Sequence, residues 1–158
     1  MAYDFSADDI FSLAEEIERN GAAFYRDAAR IVSTAAQKEL LLHLADMEDR
    51  HEKMFKTMRA ELTEKERAGT VFDPDDESAL YLKALADMRV FFDKPIDTSS
   101  MENILKAALT AEKDSIVLYL GMKDLVPEKS GKDRIDSIIK EEMGHIRLLG
   151  KELTAMQQ

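Results

Sequence analysis

Four stretches of the chain place apolar residues every three or four positions, which is the spacing of an amphipathic α-helix. The first two predicted helices, A and B, span about 6–32 and about 35–68. The second two, C and D, span about 99–126 and about 132–156. Each helix has one apolar stripe that needs a packing partner, so the pattern predicts an all-α bundle with a shared core.

Capping residues and helix breakers indicate where these helices begin and end. Ser33 or Thr34 could cap helix B, and Gly69 would end it. Ser99 and Glu102 have the spacing of a capping box at the start of helix C. The predicted boundaries therefore rest on residues that satisfy the free backbone groups at helix ends.

The link between helices B and C, over 69–98, is predicted to be long and to contain a short helix between Leu80 and Phe92. The link between C and D is short, with a turn predicted at Pro127–Gly131. Two helical hairpins joined by one long crossover make helices B and C run in the same direction. This arrangement is the ferritin-like four-helix bundle, predicted here as a single domain over 1–158.

Six acidic and histidine residues interrupt the apolar stripes near the middle of the four helices. They form two copies of one pattern, and the members of each pair are 94 positions apart: Glu18 and Glu112, Glu48 and Glu142, His51 and His145. Burying such groups is costly unless a metal ion or a proton partner compensates them. Their repetition in register predicts a polar site inside the bundle.

The Glu-x-x-His spacing in helices B and D places a carboxylate and an imidazole one turn apart on the same face. Both groups can reach one cation, and a glutamate from the neighbouring helix can bridge to a second. Helices A and C add one glutamate each, so four glutamates and two histidines would bind two first-row metal ions. This donor set suits iron or manganese and is compatible with zinc. We predict two iron ions.

A metal-free explanation is a buried charge network. It would leave four carboxylates facing two imidazoles, an imbalance that only raised pKa values could relieve. The metal explanation is favoured because two matched copies interrupt the apolar stripes in register. Small residues one turn from the glutamates of helices A and C also leave room for ions and a small oxidant. These residues are Ala14 and Gly21 in helix A, and Ala108 and Ser115 in helix C.

Four other polar residues stand out. Three of them have two possible interpretations, and the fourth has one. Tyr25 and Tyr119, also 94 positions apart, are either ordinary core residues or candidate catalytic residues that hydrogen bond to ligands and donate protons or electrons. Glu141 is either solvated or supports a ligand from outside the site. His43 lies off the apolar stripe of helix B and is predicted to be a surface or boundary residue.

Composition and charge exclude several other functions. A net charge of −10 argues against a nucleic-acid partner, which would need a basic face. The absence of cysteine excludes disulfides, thiolate zinc sites, cysteine-bound iron–sulfur clusters and cysteine nucleophiles. The N-terminal residues do not resemble a signal peptide, and no apolar run reaches transmembrane length. We therefore predict a soluble cytoplasmic protein without a membrane partner.

The motifs together resemble a known family. Glu18-x-x-Gly21-x-x-Phe24-Tyr25, Glu48-x-x-His51, Glu112-x6-Tyr119 and Glu142-x-x-His145 are similar to the di-iron domain of rubrerythrins, within the ferritin-like superfamily. The resemblance covers nearly the whole chain. It implies a homodimer or larger assembly whose di-iron centre reduces hydrogen peroxide or reacts with dioxygen. It also implies that the four glutamates are carboxylate ligands and the two histidines terminal ligands.

The chain departs from rubrerythrins proper in two respects. They carry a rubredoxin-like domain with four cysteines, so this chain would need a separate electron donor such as a rubredoxin. They also have a further glutamate, tied to iron movement in peroxidase chemistry, where this chain has Ser115. We predict peroxide reduction at a diferrous centre with an external electron donor. The alternatives are a ferroxidase or dioxygen-activating protein, and a non-catalytic metal-binding or iron-handling bundle.

Overall fold

The computed structural model describes residues 7–64, 80, 81, 84, 97–126 and 129–158. These residues contain four long helices: α1 (Ala7–Ile31), α2 (Ala35–Ala60), α3 (Met101–Leu125) and α4 (Lys129–Met156). The part of the chain that the structure describes contains no strand, which confirms the all-α prediction. None of the helices within it combines the length and apolarity that a bilayer-spanning helix needs.

The four helices form two hairpins. Helix α1 packs along α2 and α3 along α4, and smaller contacts between α1 and α3 and between α2 and α4 join the hairpins. Links of three residues connect the helices within each hairpin, so the two partners run antiparallel. Four stripes therefore face one common interior.

Helix α2 begins as the sequence indicates but ends early. The hydroxyl of Thr34 accepts a hydrogen bond from the backbone N–H of Gln37 at 3.2 Å, so Thr34 is the cap of this helix. The helix ends at Ala60, and the predicted end near 68 and the predicted stop at Gly69 lie outside the described residues. Of residues 59–64, Leu62 packs against the core and most of the others are charged or polar. Glu64 is helical again, so the described interruption covers Glu61 to Thr63.

Helix α3 begins one residue later than the predicted capping box. The hydroxyl of Ser100 accepts a hydrogen bond from the backbone N–H of Asn103 at 3.1 Å. Ser100 therefore takes the capping position predicted for Ser99. Glu102, predicted to bond back to the cap, instead pairs with Lys106 at 3.0 Å, one turn further along the helix.

Helix α4 begins at Lys129, three residues before its predicted start at 132. The turn predicted at Pro127–Gly131 is therefore shorter, because Gly131 already lies in the first helical turn. Gly131 is buried, and a Cβ atom there would overlap the side chain of Val126. The glycine allows a close approach to the end of α3 and does not mark a loop.

The crossover prediction falls mostly outside the described residues. Of the short helix predicted over 80–92, the structure describes Leu80, Tyr81 and Ala84, which are helical. The hydroxyl of Tyr81 donates a hydrogen bond to the carbonyl oxygen of Val117 at 3.2 Å, so this part of the crossover contacts α3. Residue 6, the predicted start of helix A, also lies outside the described residues.

Apolar side chains fill the interior at two levels, with polar residues between them. The first apolar layer includes Ile10, Phe11, Phe55, Met58, Leu118, Met122, Ile135 and Ile138. The second apolar layer includes Phe24, Ala28, Leu41, Leu44, Ile104, Leu105, Ala108 and Leu149. Every helix contributes to both layers, so each helix must cross the polar level between them.

Candidate metal centre

The level between the two apolar layers contains all six residues that the sequence predicts as metal ligands. We call these six residues the polar layer: Glu18, Glu48, His51, Glu112, Glu142 and His145. None of them is more than 5% exposed. The helical spacing that points the apolar stripes inward also points these residues inward, because each occupies a stripe position.

The polar layer divides into two groups of four potential ligands. Glu18 and His51 belong to one group, Glu112 and His145 to the other, and each group also includes both Glu48 and Glu142. Within each group, one nitrogen or oxygen atom from every residue lies within 4.8 Å of the others. The rings of the two histidines stack with centroids 5.7 Å apart. This arrangement provides two adjacent cation positions with two shared carboxylates.

The shared residues are the glutamates of the two Glu-x-x-His motifs. The sequence spacing predicted that a glutamate from a neighbouring helix would bridge the two cations. In the structure the residues that belong to both groups are Glu48 of α2 and Glu142 of α4, the glutamates of the motifs themselves. The glutamates of α1 and α3 each belong to one group only.

The imidazoles present the same nitrogen to the interior. His51 Nδ1 lies 3.1 Å from Glu142 Oε1 and 3.5 Å from Glu18 Oε2. His145 Nδ1 lies between 2.8 and 3.3 Å from three carboxylate oxygens of its own group. In both rings Nδ1 is therefore the atom available to a cation held by the carboxylates.

Buried polar atoms without a hydrogen-bond partner indicate whether these residues suit metal ions. Five buried side-chain atoms have no hydrogen-bond partner among the described residues: Glu18 Oε2, Glu48 Oε1, Glu142 Oε2, and Nδ1 and Nε2 of His145. His145 Nδ1 is close to carboxylates but without hydrogen-bonding angles. Each unsatisfied buried group costs roughly 1–3 kcal/mol. All five atoms belong to residues of the two ligand groups, so the donor set fits a pair of cations.

Proton affinities in the polar layer are strongly perturbed. Burial, followed by repulsion from Glu142, raises the pKa of Glu112 to about 8. Burial and repulsion from Glu18 raise the pKa of Glu48 well above its usual range. Burial opposes ionisation of Glu142, but the attraction of the two neighbouring imidazoles outweighs it and lowers its pKa. The carboxylates therefore compete for charge, as groups that share a site do.

The two imidazoles show the opposite response. Burial alone would lower their pKa values, but the neighbouring carboxylates outweigh it. The pKa of His51 rises to about 11 and that of His145 to about 9. Protons thus hold part of the positive charge that a pair of divalent cations would supply to this layer.

The two candidate catalytic tyrosines contact the ligands of the opposite hairpin. Tyr25 of α1 donates a hydrogen bond to Glu112 Oε1 of α3 at 2.5 Å. Tyr119 of α3 donates one to Glu18 Oε1 of α1. Both rings are buried, and burial with the nearby carboxylates raises both phenol pKa values well above 10.0. The structure supports the ligand-bonding interpretation, and the catalytic role remains a prediction.

The small residues next to the polar layer differ in what they do. A Cβ atom at Gly21 would lie 3.3 Å from Glu48 Oε2, so the glycine leaves room for a shared carboxylate. Ser115, at the matching position of α3, is buried and donates its hydroxyl to the carbonyl oxygen of Ala111 at 3.0 Å. Ser115 does not take the place of an additional carboxylate.

Outside the polar layer, Glu141 and His43 have different positions. Glu141 Oε2 lies 2.7 Å from Nε2 of His51, so Glu141 contacts a predicted ligand instead of being only solvated. The signal available in the sequence was its position directly before Glu142. His43 is exposed on α2, as predicted.

Comparisons with known proteins identify the family and the fold. The family model named Rubrerythrin matches residues 9–153. A crystal structure of a protein described as a ferritin-like diiron-carboxylate protein from Thermotoga maritima matches with a TM-score of 0.71 and 24% identity, over 98% of each chain. No curated protein matches the sequence. The structural match confirms the ferritin-like fold, and the family match shows that the chain belongs to the rubrerythrin family.

Proposed function

We propose that the chain is a di-iron protein that reduces hydrogen peroxide with electrons from a separate protein such as a rubredoxin. The observation that carries this proposal is the pair of four-ligand groups that share Glu48 and Glu142. Carboxylate and imidazole donors without sulfur suit iron. The diiron-carboxylate description of the structural relative also supports iron. These 158 residues include no cysteine and so cannot bind rubredoxin-type iron, and we therefore assign the electron supply to a separate protein.

The residues divide into two kinds of ligand in this proposal. Glu18 with His51 and Glu112 with His145 would hold one iron ion each, and Glu48 and Glu142, which belong to both groups, would contribute to both positions. When bound, a diferrous pair supplies the two electrons that convert hydrogen peroxide and two protons into two water molecules. The carboxylates keep the two positions adjacent, so both electrons are available at one place.

The protein also controls protons and water around the site. Tyr25 and Tyr119 keep their phenol protons at neutral pH and hold them on ligand carboxylates. They are therefore the nearest buried hydroxyl donors to the two terminal glutamates. The apolar layers on both sides limit water, which strengthens electrostatic interactions inside.

The test is a comparison of two oxidants on iron-loaded protein. Metal-free protein is loaded anaerobically with ferrous iron, then mixed rapidly with hydrogen peroxide or air-saturated buffer while ferric absorbance is recorded. We expect two iron ions per chain and much faster oxidation by peroxide. His51→Ala should lower the iron content, whereas His43→Ala, which changes an exposed histidine of the same helix, should not. Slow oxidation by both reagents would contradict a catalytic role.

A ferroxidase or dioxygen-activating function is the second candidate, and Ser115 favours it. Rubrerythrins proper have a further glutamate at this position, and Ser115 is instead bonded to the backbone of its own helix. Oxidation by dioxygen as fast as, or faster than, oxidation by peroxide would support this second function over the first.

A further inference from the structure

The outer nitrogens of the two ligand histidines have different surroundings. His51 Nε2 lies 2.7 Å from Glu141 Oε2. His145 Nε2 is buried and has no hydrogen-bond partner in the described part of the chain. We propose that the two metal positions are unequal: Glu141 makes the position of His51 the tighter one, and the ion beside His145 binds second and exchanges faster. This inference rests on the proposed di-metal function.

The 94-residue repeat shows where this difference originates. Each ligand glutamate of the Glu-x-x-His motifs has a neighbour immediately before it. Before Glu142 this neighbour is Glu141, but before Glu48 it is Met47. A methionine sulfur is only a weak hydrogen-bond acceptor, whereas a carboxylate is a strong one. Helix α4 therefore provides an acceptor for His51 of α2, whereas α2 has no carboxylate at the corresponding position for His145 of α4.

A hydrogen bond at Nε2 prepares an imidazole to bind metal through Nδ1. A neutral imidazole carries one proton, and a carboxylate at Nε2 holds the proton there. The lone pair of His51 Nδ1 is then directed at Glu18 and Glu142, where the cation would lie. The carboxylate also orients the ring and makes Nδ1 more basic. His145 lacks this support, so its ring and its proton position must be fixed when metal binds.

The other contacts of the two positions are matched. Glu48 and Glu142 belong to both groups, so they cannot favour one. Each terminal glutamate accepts a hydrogen bond from one buried tyrosine. Gly21 and Ser115 differ, but Gly21 makes room for the shared Glu48, and Ser115 bonds to its own helix. Among these contacts, the imidazole partner is the difference that acts on one position.

Cobalt titration of metal-free protein tests this inference, since Co²⁺ absorption reports coordination and calorimetry separates binding steps. Repulsion between adjacent cations would separate two binding steps even at equal positions. Variants that act on one position are therefore needed to distinguish repulsion from unequal positions. Glu141→Ala should weaken the first step by about 10–100-fold and leave the second unchanged. Glu141→Gln, whose amide oxygen still accepts a hydrogen bond, should restore much of the affinity. Glu152→Ala removes an exposed carboxylate from the same helix and should change neither step.

Met47→Glu provides the reciprocal test, because position 47 corresponds to Glu141 in the 94-residue repeat, and a carboxylate there would be the matching acceptor for His145. We expect the second step to tighten by up to about 10–100-fold while the first stays the same. A gain of affinity cannot result from misfolding, so this variant tests the inference even if Glu141→Ala loses affinity because it is destabilised. Equal weakening of both steps by Glu141→Ala, or no tightening by Met47→Glu, would overturn the inference and leave the di-metal proposal intact. Failure of wild-type protein to bind Co²⁺ would overturn both.

Discussion

The polar layer and the two apolar layers are built from adjacent turns of the same helices, yet they affect stability in opposite ways. In α2, His51 and Phe55 lie one turn apart and both are fully buried. Burial of a side chain like Phe55 stabilises the fold by about 1.5–3 kcal/mol. The polar layer instead contains carboxylates with raised pKa values and unpartnered atoms. The apolar layers hold the bundle together, and the polar layer costs stability unless something binds there.

The largest expected effect is the loss of both metal ions from a single substitution in the polar layer. Glu142 belongs to both ligand groups, so Glu142→Ala should remove stoichiometric binding at both positions. Glu18 belongs to one group, and Glu18→Ala should retain up to one ion per chain. Iron analysis after loading and desalting measures both. Circular dichroism should show unchanged helicity, because the apolar layers are untouched. Two bound ions in Glu142→Ala would refute the ligand assignment.

The second largest expected effect is a loss of stability from a substitution that leaves all six predicted ligands in place. Phe55→Ala in the first apolar layer should lower the free energy of unfolding by about 3–5 kcal/mol in metal-free protein. The ring of Phe55 lies 5.1 Å from that of Tyr119 and 6.4 Å from that of Phe11, so its removal leaves a cavity between helices. Urea titration measures the change. A loss below about 1 kcal/mol would mean that the layer collapses around the cavity or contributes little.

The sequence predicts the polar layer better than the details around it. A carboxylate at a stripe position is a local signal, since helical spacing alone decides that it points inward. Its repetition at a constant offset made the six candidates visible without any knowledge of the packing. The four helices were predictable for the same reason.

Features that depend on how helices meet were less predictable. The contact of Glu141 with His51 joins α4 to α2, and it requires the rotation of both helices to be known. Gly131 suggested a turn, but its role is a close approach to Val126 across the hairpin link. Helix α2 ends at Ala60, although no glycine or proline marks the position.

The polar layer, unlike the apolar layers, should make the stability of the metal-free protein depend on pH. Glu112 has a pKa of about 8 in the fold against 4.5 ordinarily, and His145 about 9 against 6.5. The folded protein therefore binds more protons than the unfolded chain between about pH 4.5 and 9, so stability falls as pH rises across this range. The lowered pKa of Glu142 removes stability only below about pH 4.5, outside this window.

Thermal melting of metal-free protein from pH 5 to pH 9 should thus show a falling midpoint. Metal-loaded protein should not follow it, because metal ions need deprotonated ligands and bind better as pH rises. The same linkage predicts that loading at neutral pH releases protons into weakly buffered solution. A metal-free midpoint that rises with pH would show that the carboxylates of the polar layer are already ionised and stabilised by other groups.

The smallest expected effect is that of Gly21→Ala, which places a single methyl group at the edge of the polar layer. Glycine inside a helix is less favourable than alanine by about 0.8–1 kcal/mol, so Gly21→Ala alone should raise stability. Its Cβ atom, however, would lie 3.3 Å from Glu48 Oε2, and that carboxylate must shift by a few tenths of an ångström. In metal-free protein the carboxylate can move, so we expect a stability change within about 1 kcal/mol.

Metal binding should be less tolerant of the same shift, because Glu48 belongs to both ligand groups and would have to reach two ions at once. We expect Gly21→Ala to weaken the binding of both ions, measured by cobalt titration, while urea titration shows a metal-free fold as stable as wild type. Gly150→Ala is the matched control, since a Cβ atom there meets nothing within 4 Å. It should gain helix stability without any change in affinity. If both variants bind metal as wild type does, Glu48 has more freedom than its packing suggests, and Gly21 serves only the spacing of the helices.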